Sequence, residues 1–163
     1  MNVSPTQLND PGLVADVSHA LAHSGLPAGA LVVEITESAF LLNDDGLAAT
    51  IGELAALGVV IALDDFGSGY SSLGYLSKLP IGILKIDRSL VQEIDEGQEG
   101  AAIAQAIVRL GHSLDMEIIA EGIERSEQLA ELQASGCKSG QGFFLGRPVP
   151  PEAVVLAGLT ALI

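Results

Sequence analysis

The sequence predicts an α/β fold built from parallel βα units, and three observations predict it. Short β-branched apolar runs alternate with longer segments whose apolar residues recur at helical spacing. Glycines close several of those helical segments, and the apolar runs end in ionisable residues, which gathers polar groups at one edge of the sheet. The 163 residues are 48% hydrophobic, enough to bury a core, and contain no linker or low-complexity tract. A single domain over residues 1–163 is the expectation.

The elements follow in order. Between Asp10 and Ser24, Leu13, Val14, Val17 and Leu21 describe one helical face, ended by Gly25. Leu31 to Ile35 is a buried-strand run, and Asp45 to Leu57 returns to helical spacing until Gly58. Then come a strand at Val59–Leu63, a short helix around Ser72–Leu79, a strand at Ile83–Ile86 and a helix at Ala101–Leu114. A strand at Ile118–Ala120, a helix at Ser126–Ala134 and a short strand near Gly140–Phe144 complete the alternation. A last helix from about Glu152 to Leu162 enters through Pro150 and Pro151, as proline is tolerated in a first helical turn.

Composition excludes several functions. The formal net charge is −14, with only seven Lys and Arg, which argues against a nucleic-acid polymer as partner; a small phosphate ligand remains open through bridging cations. No apolar stretch is long enough to span a bilayer, and no basic region precedes an apolar core at the N-terminus, so a cytoplasmic protein is expected. The lone Cys137 forms no internal disulfide and is expected to be an inert thiol.

The chemistry concentrates where Val59–Leu63 runs into Asp64, Asp65, Phe66, Gly67, Ser68, Gly69, Tyr70, Ser71 and Ser72. Adjacent carboxylates repel unless a cation neutralises them, and hard oxygen ligands of this kind favour Mg²⁺ or Mn²⁺. Glu34, Asp64, Lys85 and Glu121 each stand at or near the carboxyl end of an apolar run, the edge where parallel α/β folds place their sites. Bland alternatives stand beside each. Glu34 and Glu37 could cap the next helix, Lys85 and Asp87 or Asp87 and Arg88 could be plain ion pairs, Glu121 and Glu124 could lie in an ordinary strand-to-helix loop, and Gln141 could satisfy backbone groups between glycines. His19, His23 and His112 fall in helical segments away from these strand ends, so oxygen-ligated metal is preferred to zinc.

Six blocks in one order resemble the EAL-domain family, bacterial phosphodiesterases that hydrolyse cyclic di-GMP to the linear dinucleotide pGpG. They are Asn2-Val3-Ser4, Glu34-Ile35-Thr36-Glu37-Ser38, the run from Asp64 to Leu73, Lys85-Ile86-Asp87, Glu121-Gly122-Ile123-Glu124 and Gln141-Gly142-Phe143. The resemblance implies that Asn2, Glu34 and Asp64 ligate one metal ion, Mg²⁺ or Mn²⁺, and that Asp64, Asp65 and Glu121 ligate a second. It implies that Lys85 contacts the attacking water, that Gln141 lies close to the site, and that Glu37 braces the Asp64-Asp65 loop. Asp87 and Glu124 are expected to support substrate or loops, and Phe66 to Ser72 to form a loop associated with dimerisation.

The family fold is a modified (β/α)₈ barrel of about 250 residues, so the resemblance implies a partial, TIM-like barrel lacking its first strands. The Glu-Ala-Leu segment, whose glutamate ligates metal and whose neighbouring arginine meets substrate, does not occur here. The expectation is therefore a truncated EAL domain that acts on cyclic di-GMP, paired as a homodimer or with a partner segment that covers open strand edges. The alternative is a non-catalytic cyclic di-GMP-binding or regulatory module, and a different Mg²⁺-dependent α/β enzyme would explain the rim charges but not six ordered motifs.

Overall fold

The computed structural model describes residues 1–42, 45–68 and 73–150. Its contacts divide the chain into two compact units, Met1–Leu84 and Lys85–Ile163. Within the first unit Val32–Thr36 pairs in parallel with Val60–Phe66, and within the second Glu117–Ala120 pairs in parallel with Ser139–Gly140, each strand beside its successor in sequence as in a (β/α)₈ barrel.

In the first unit, α1 (Pro5–Leu8) starts from a reciprocal cap: Gln7 N–H donates to Ser4 Oγ at 3.3 Å and Ser4 N–H donates to Gln7 Oε1 at 3.0 Å. Next, α2 (Leu13–Ser24) begins three residues later than Asp10, because the Asp10 carboxylate accepts from Gly12 N–H at 2.8 Å and holds a turn there. Gly25, at φ +69°, ends it as expected. The parallel pair β1 (Val32–Thr36) and β2 (Val60–Phe66) encloses a 3₁₀ segment at Glu37–Leu42 and α3 (Asp45–Ala56) in sequence. Helix α3 packs against β2 and against both α1 and α2. Val33, Ile35, Ile51, Leu54 and Ile61 are fully buried there, each contributing about 1.5–3 kcal/mol.

The helix expected over Ser72–Leu79 is the single turn α4 (Leu73–Leu76). Leu79 precedes Pro80, which disfavours helical backbone. Strand β3 (Ile83–Ile86) runs across the boundary between the units and is buried along its whole length.

The second unit continues with α5 (Arg88–Glu93), which the sequence reading lacked. Asp87 caps it, its Oδ1 accepting from Ser89 N–H at 2.9 Å. Then follow α6 (Gln98–Ser113), β4 (Glu117–Ala120), α7 (Ser126–Ala134) and a two-residue β5 (Ser139–Gly140) parallel to β4. Buried Gln128 fixes the start of α7: its Oε1 accepts from the amides of Glu124 and Arg125 at 2.8 and 3.1 Å, and its Nε2 donates to Asp95 at 2.5 Å. The strand expected near Gly140–Phe144 is instead β5 and then a turn, in which Phe144 N–H donates to Ile123 O at 3.0 Å. The helix expected from Glu152 to Leu162 lies outside the described residues. Among the described residues no helix is long and apolar enough to cross a membrane.

Cys137 is buried beside β4 and β5, its Sγ 3.3 Å from Ser139 O, and burial pushes its thiol pKa up. Its protonated form is therefore held in the fold. The stability this contributes is complete below the unfolded thiol's pKa of about 8.5 and is lost as pH rises through the folded value. Alkylation of the native chain at pH 8 is expected to be at least tenfold slower than in denaturant, since only thiolate reacts, as a thiol-reagent time course would show.

Candidate active site

The first unit places three sequence-predicted ligands on one face of its parallel pair. Thr36 lies opposite Asp64 and Glu34 opposite Ala62 in the register, while Asn2 forms a parallel bridge with Glu34. Residues opposite one another, and those two apart on a strand, share a face, so Asn2, Glu34 and Asp64 project together. The other face carries Val33, Ile35, Ile61 and Leu63, all buried. Asp64 is itself buried, and a carboxylate so placed demands compensation.

Asp65 has φ +57°, left-handed backbone in which aspartate is among the few tolerated side chains. The turn is held locally: Asp65 N–H donates to Asp64 Oδ1 at 3.1 Å, and Ser68 Oγ donates to Asp65 O at 2.9 Å. Glu37 reaches this loop too, with Oε2 accepting from Gly67 N–H at 3.1 Å, while its buried Oε1 has no hydrogen-bond partner among the described residues. Phe66, Gly67 and Ser68 are thus placed; Gly69, Tyr70, Ser71 and Ser72 lie outside the described residues.

The second unit gathers Lys85, Glu121 and Gln141. Lys85 Nζ lies 2.7 Å from Glu121 Oε1, with both side chains largely buried, and Gln141 Nε2 donates to the same oxygen at 2.8 Å. Backbone bonds set this geometry: Glu121 N–H donates to Ile86 O, and Gln141 N–H to Ala120 O. Lys85 therefore pairs with Glu121, not with Asp87, and Arg88 pairs with Glu124 at 2.8 Å, not with Asp87. The bland ion-pair readings fail because Asp87 is committed to the α5 cap.

Glu121, Glu124 and Gln141 line a cleft of about 520 Å³ together with Arg88, Phe143 and Arg147. Its volume falls within the usual range for small-ligand sites. The Arg147 guanidinium stacks 4.6 Å above the exposed Phe143 ring. The sequence reading missed Arg88, Phe143 and Arg147 as site residues. The available signal was the scarcity of cations: Lys85, Arg88 and Arg147 are three of only seven in the chain.

Among the described residues no three Asp, Glu, His or Cys side chains are gathered as a ready metal cage. The donors at the strand ends are carboxylate and amide oxygens, the type that Mg²⁺ and Mn²⁺ take.

A profile of the family described as EAL domain matches residues 1–148. The chain belongs to the EAL-domain family. This EAL domain is 44% identical over 155 residues to a bifunctional diguanylate cyclase/cyclic di-GMP phosphodiesterase, MucR, of Pseudomonas aeruginosa. It is 41% identical over 154 residues to a cyclic di-GMP phosphodiesterase, NbdA, of the same organism. Those alignments cover 95% and 94% of this chain but 23% and 20% of the relatives, so the chain spans under a quarter of their length.

Its structure matches that of the MucR phosphodiesterase in complex with c-di-GMP, with a TM-score of 0.88 over 94% of this chain and 62% of that one. It also matches the FimX EAL domain of P. aeruginosa bound to c-di-GMP, with a TM-score of 0.84 at 28% identity over 90% of this chain and 60% of that one. The fold is a partial, TIM-like (β/α)₈ barrel. The EAL phosphodiesterase family is in general metal-dependent.

Proposed function

We propose that this EAL domain is a metal-dependent phosphodiesterase that hydrolyses cyclic di-GMP to pGpG in the bacterial cytoplasm. The cleft beside Glu121 carries the reading: in a chain of net charge −14, two guanidinium groups and a stacked aromatic ring stand next to a carboxylate held by lysine and glutamine. Cationic groups suit a phosphodiester, and the ring offers a purine base a stacking surface.

Asn2, Glu34, Asp64, Asp65 and Glu121 would hold two divalent cations, Mg²⁺ or Mn²⁺, an assignment that follows the family match position by position. When bound, such ions supply a nucleophilic water and stabilise the attacking and leaving oxygens of an in-line displacement. Lys85 and Gln141 would orient Glu121, and Lys85 would contact the attacking water. Asp87 fixes α5, Glu37 braces the Gly67 turn, and Glu124 orders the cleft wall through Arg88. A homodimer formed through the 66–72 loop belongs to the same proposal.

The test incubates the chain with cyclic di-GMP and Mn²⁺ or Mg²⁺ and follows pGpG by chromatography. Turnover lost in Glu121→Gln supports the proposal. The match to the FimX EAL domain bound to c-di-GMP favours a second reading, a cyclic di-GMP-binding module without turnover. Saturable binding with no pGpG would select that reading, and neither binding nor turnover would overturn both.

A further inference from the structure

We propose that Arg88 is a positioning residue for Glu121, acting through the turn that follows β4; its kinetic consequence rests on the phosphodiesterase reading above. Gly122 adopts φ +69°, and the Arg88 stem occupies the space that a side chain there would fill. A Cβ at position 122 would lie 2.3, 2.6 and 2.9 Å from Arg88 Cγ, Cβ and Cδ. Beyond the glycine, Arg88 Nη2 meets Glu124 Oε1 at 2.8 Å. With its amide oxygen turned toward Arg88, Gln92 on the next turn of α5 accepts from Nε at 2.8 Å and Nη2 at 3.1 Å.

The guanidinium is thus tied to its own helix at one edge and to Glu124 at the other, with its stem laid across the residue between Glu121 and Ile123. On the far side, Glu121 N–H is bonded to Ile86 O. The turn is clamped from both sides, and the clamp explains why glycine stands at 122 where an ordinary strand-to-helix loop needs none. Arg88 is 56% exposed, so the ion pair itself adds little to global stability. A merely structural Arg88 would be nearly silent when replaced, whereas a positioning Arg88 would not.

The experiment compares the unsubstituted chain, Arg88→Ala and Arg88→Lys by hydrogen–deuterium exchange over residues 119–124, thermal melting and cyclic di-GMP kinetics. For Arg88→Ala, exchange in that segment is expected to rise roughly tenfold while the melting temperature stays nearly constant. Its kcat is expected to fall roughly 10–100-fold, the effect of a misplaced catalytic group, beyond the rise in KM that removing a cleft cation brings. Arg88→Lys keeps the stem over Gly122 and one charged contact, and restores exchange to within about threefold of the unsubstituted chain. Unchanged exchange in Arg88→Ala overturns the proposal, as does unchanged kcat in a chain that turns over. If the unsubstituted chain yields no pGpG, the phosphodiesterase reading fails, and the exchange data still decide the role of Arg88.

Discussion

Glu121→Gln is expected to reduce pGpG formation by about 10²–10³-fold or more, the scale on which removing one group aimed at developing charge acts. The substitution preserves shape, and the amide oxygen can still accept from Gln141 Nε2, which donates to Glu121 Oε1 at 2.8 Å. What disappears is the negative charge, and with it both a proposed metal ligand and the 2.7 Å counter-charge of Lys85. Breaking a buried ion pair outright costs about 3–5 kcal/mol. Because an acceptor remains, the loss of stability here is expected to be smaller, about 1–3 kcal/mol. Thermal melting beside the turnover assay separates the two effects: a folded, inactive variant is the predicted outcome, and a folded, fully active one would remove Glu121 from the mechanism.

Gly142→Ala is expected to be among the most destabilising single substitutions of the second unit. A Cβ at 142 would lie 2.1 Å from Ile123 O and 2.2 Å from Ile123 N, backbone atoms with no flexible end to move aside. The same contact carries the site. Ile123 N–H donates to Gln141 O at 3.1 Å and Gln141 N–H to Ala120 O at 2.8 Å, so pushing the 142 turn away also draws Gln141 from Glu121. Overpacking of this kind costs about 1–3 kcal/mol, and the melting temperature should fall by roughly 2–12 °C. Calorimetry checks the stability. Lowered cyclic di-GMP affinity in whatever fraction remains folded checks the link to the site.

Strands β1 to β4 were legible because their apolar runs are short, β-branched and punctuated by acids or glycine, and α7 because helical periodicity and its flanks agree over Ser126–Ala134. Helix α5 was not, because six residues give too few apolar repeats and its decisive signal is the Asp87 side-chain cap. Phe143 and Phe144 looked like strand residues. They stand in a turn because Gly142 packs against the Ile123 backbone, a contact between positions far apart in the chain. Glu34, Asp64, Lys85 and Glu121 were visible as charges ending apolar runs. The pairing that gives two of them meaning, Lys85 with Glu121, is set by which strands and turns lie side by side, as is that of Arg88 with Glu124. Local sequence carries no record of that.

The most direct measurement of the central claim is a calorimetric titration of the full chain with cyclic di-GMP, performed with Mg²⁺ and with Mn²⁺, and repeated in chelator. Saturable binding that strengthens with divalent cation and weakens in Glu121→Gln is the predicted result. No cyclic di-GMP binding under any of these conditions, by a chain that melts cooperatively, would contradict it.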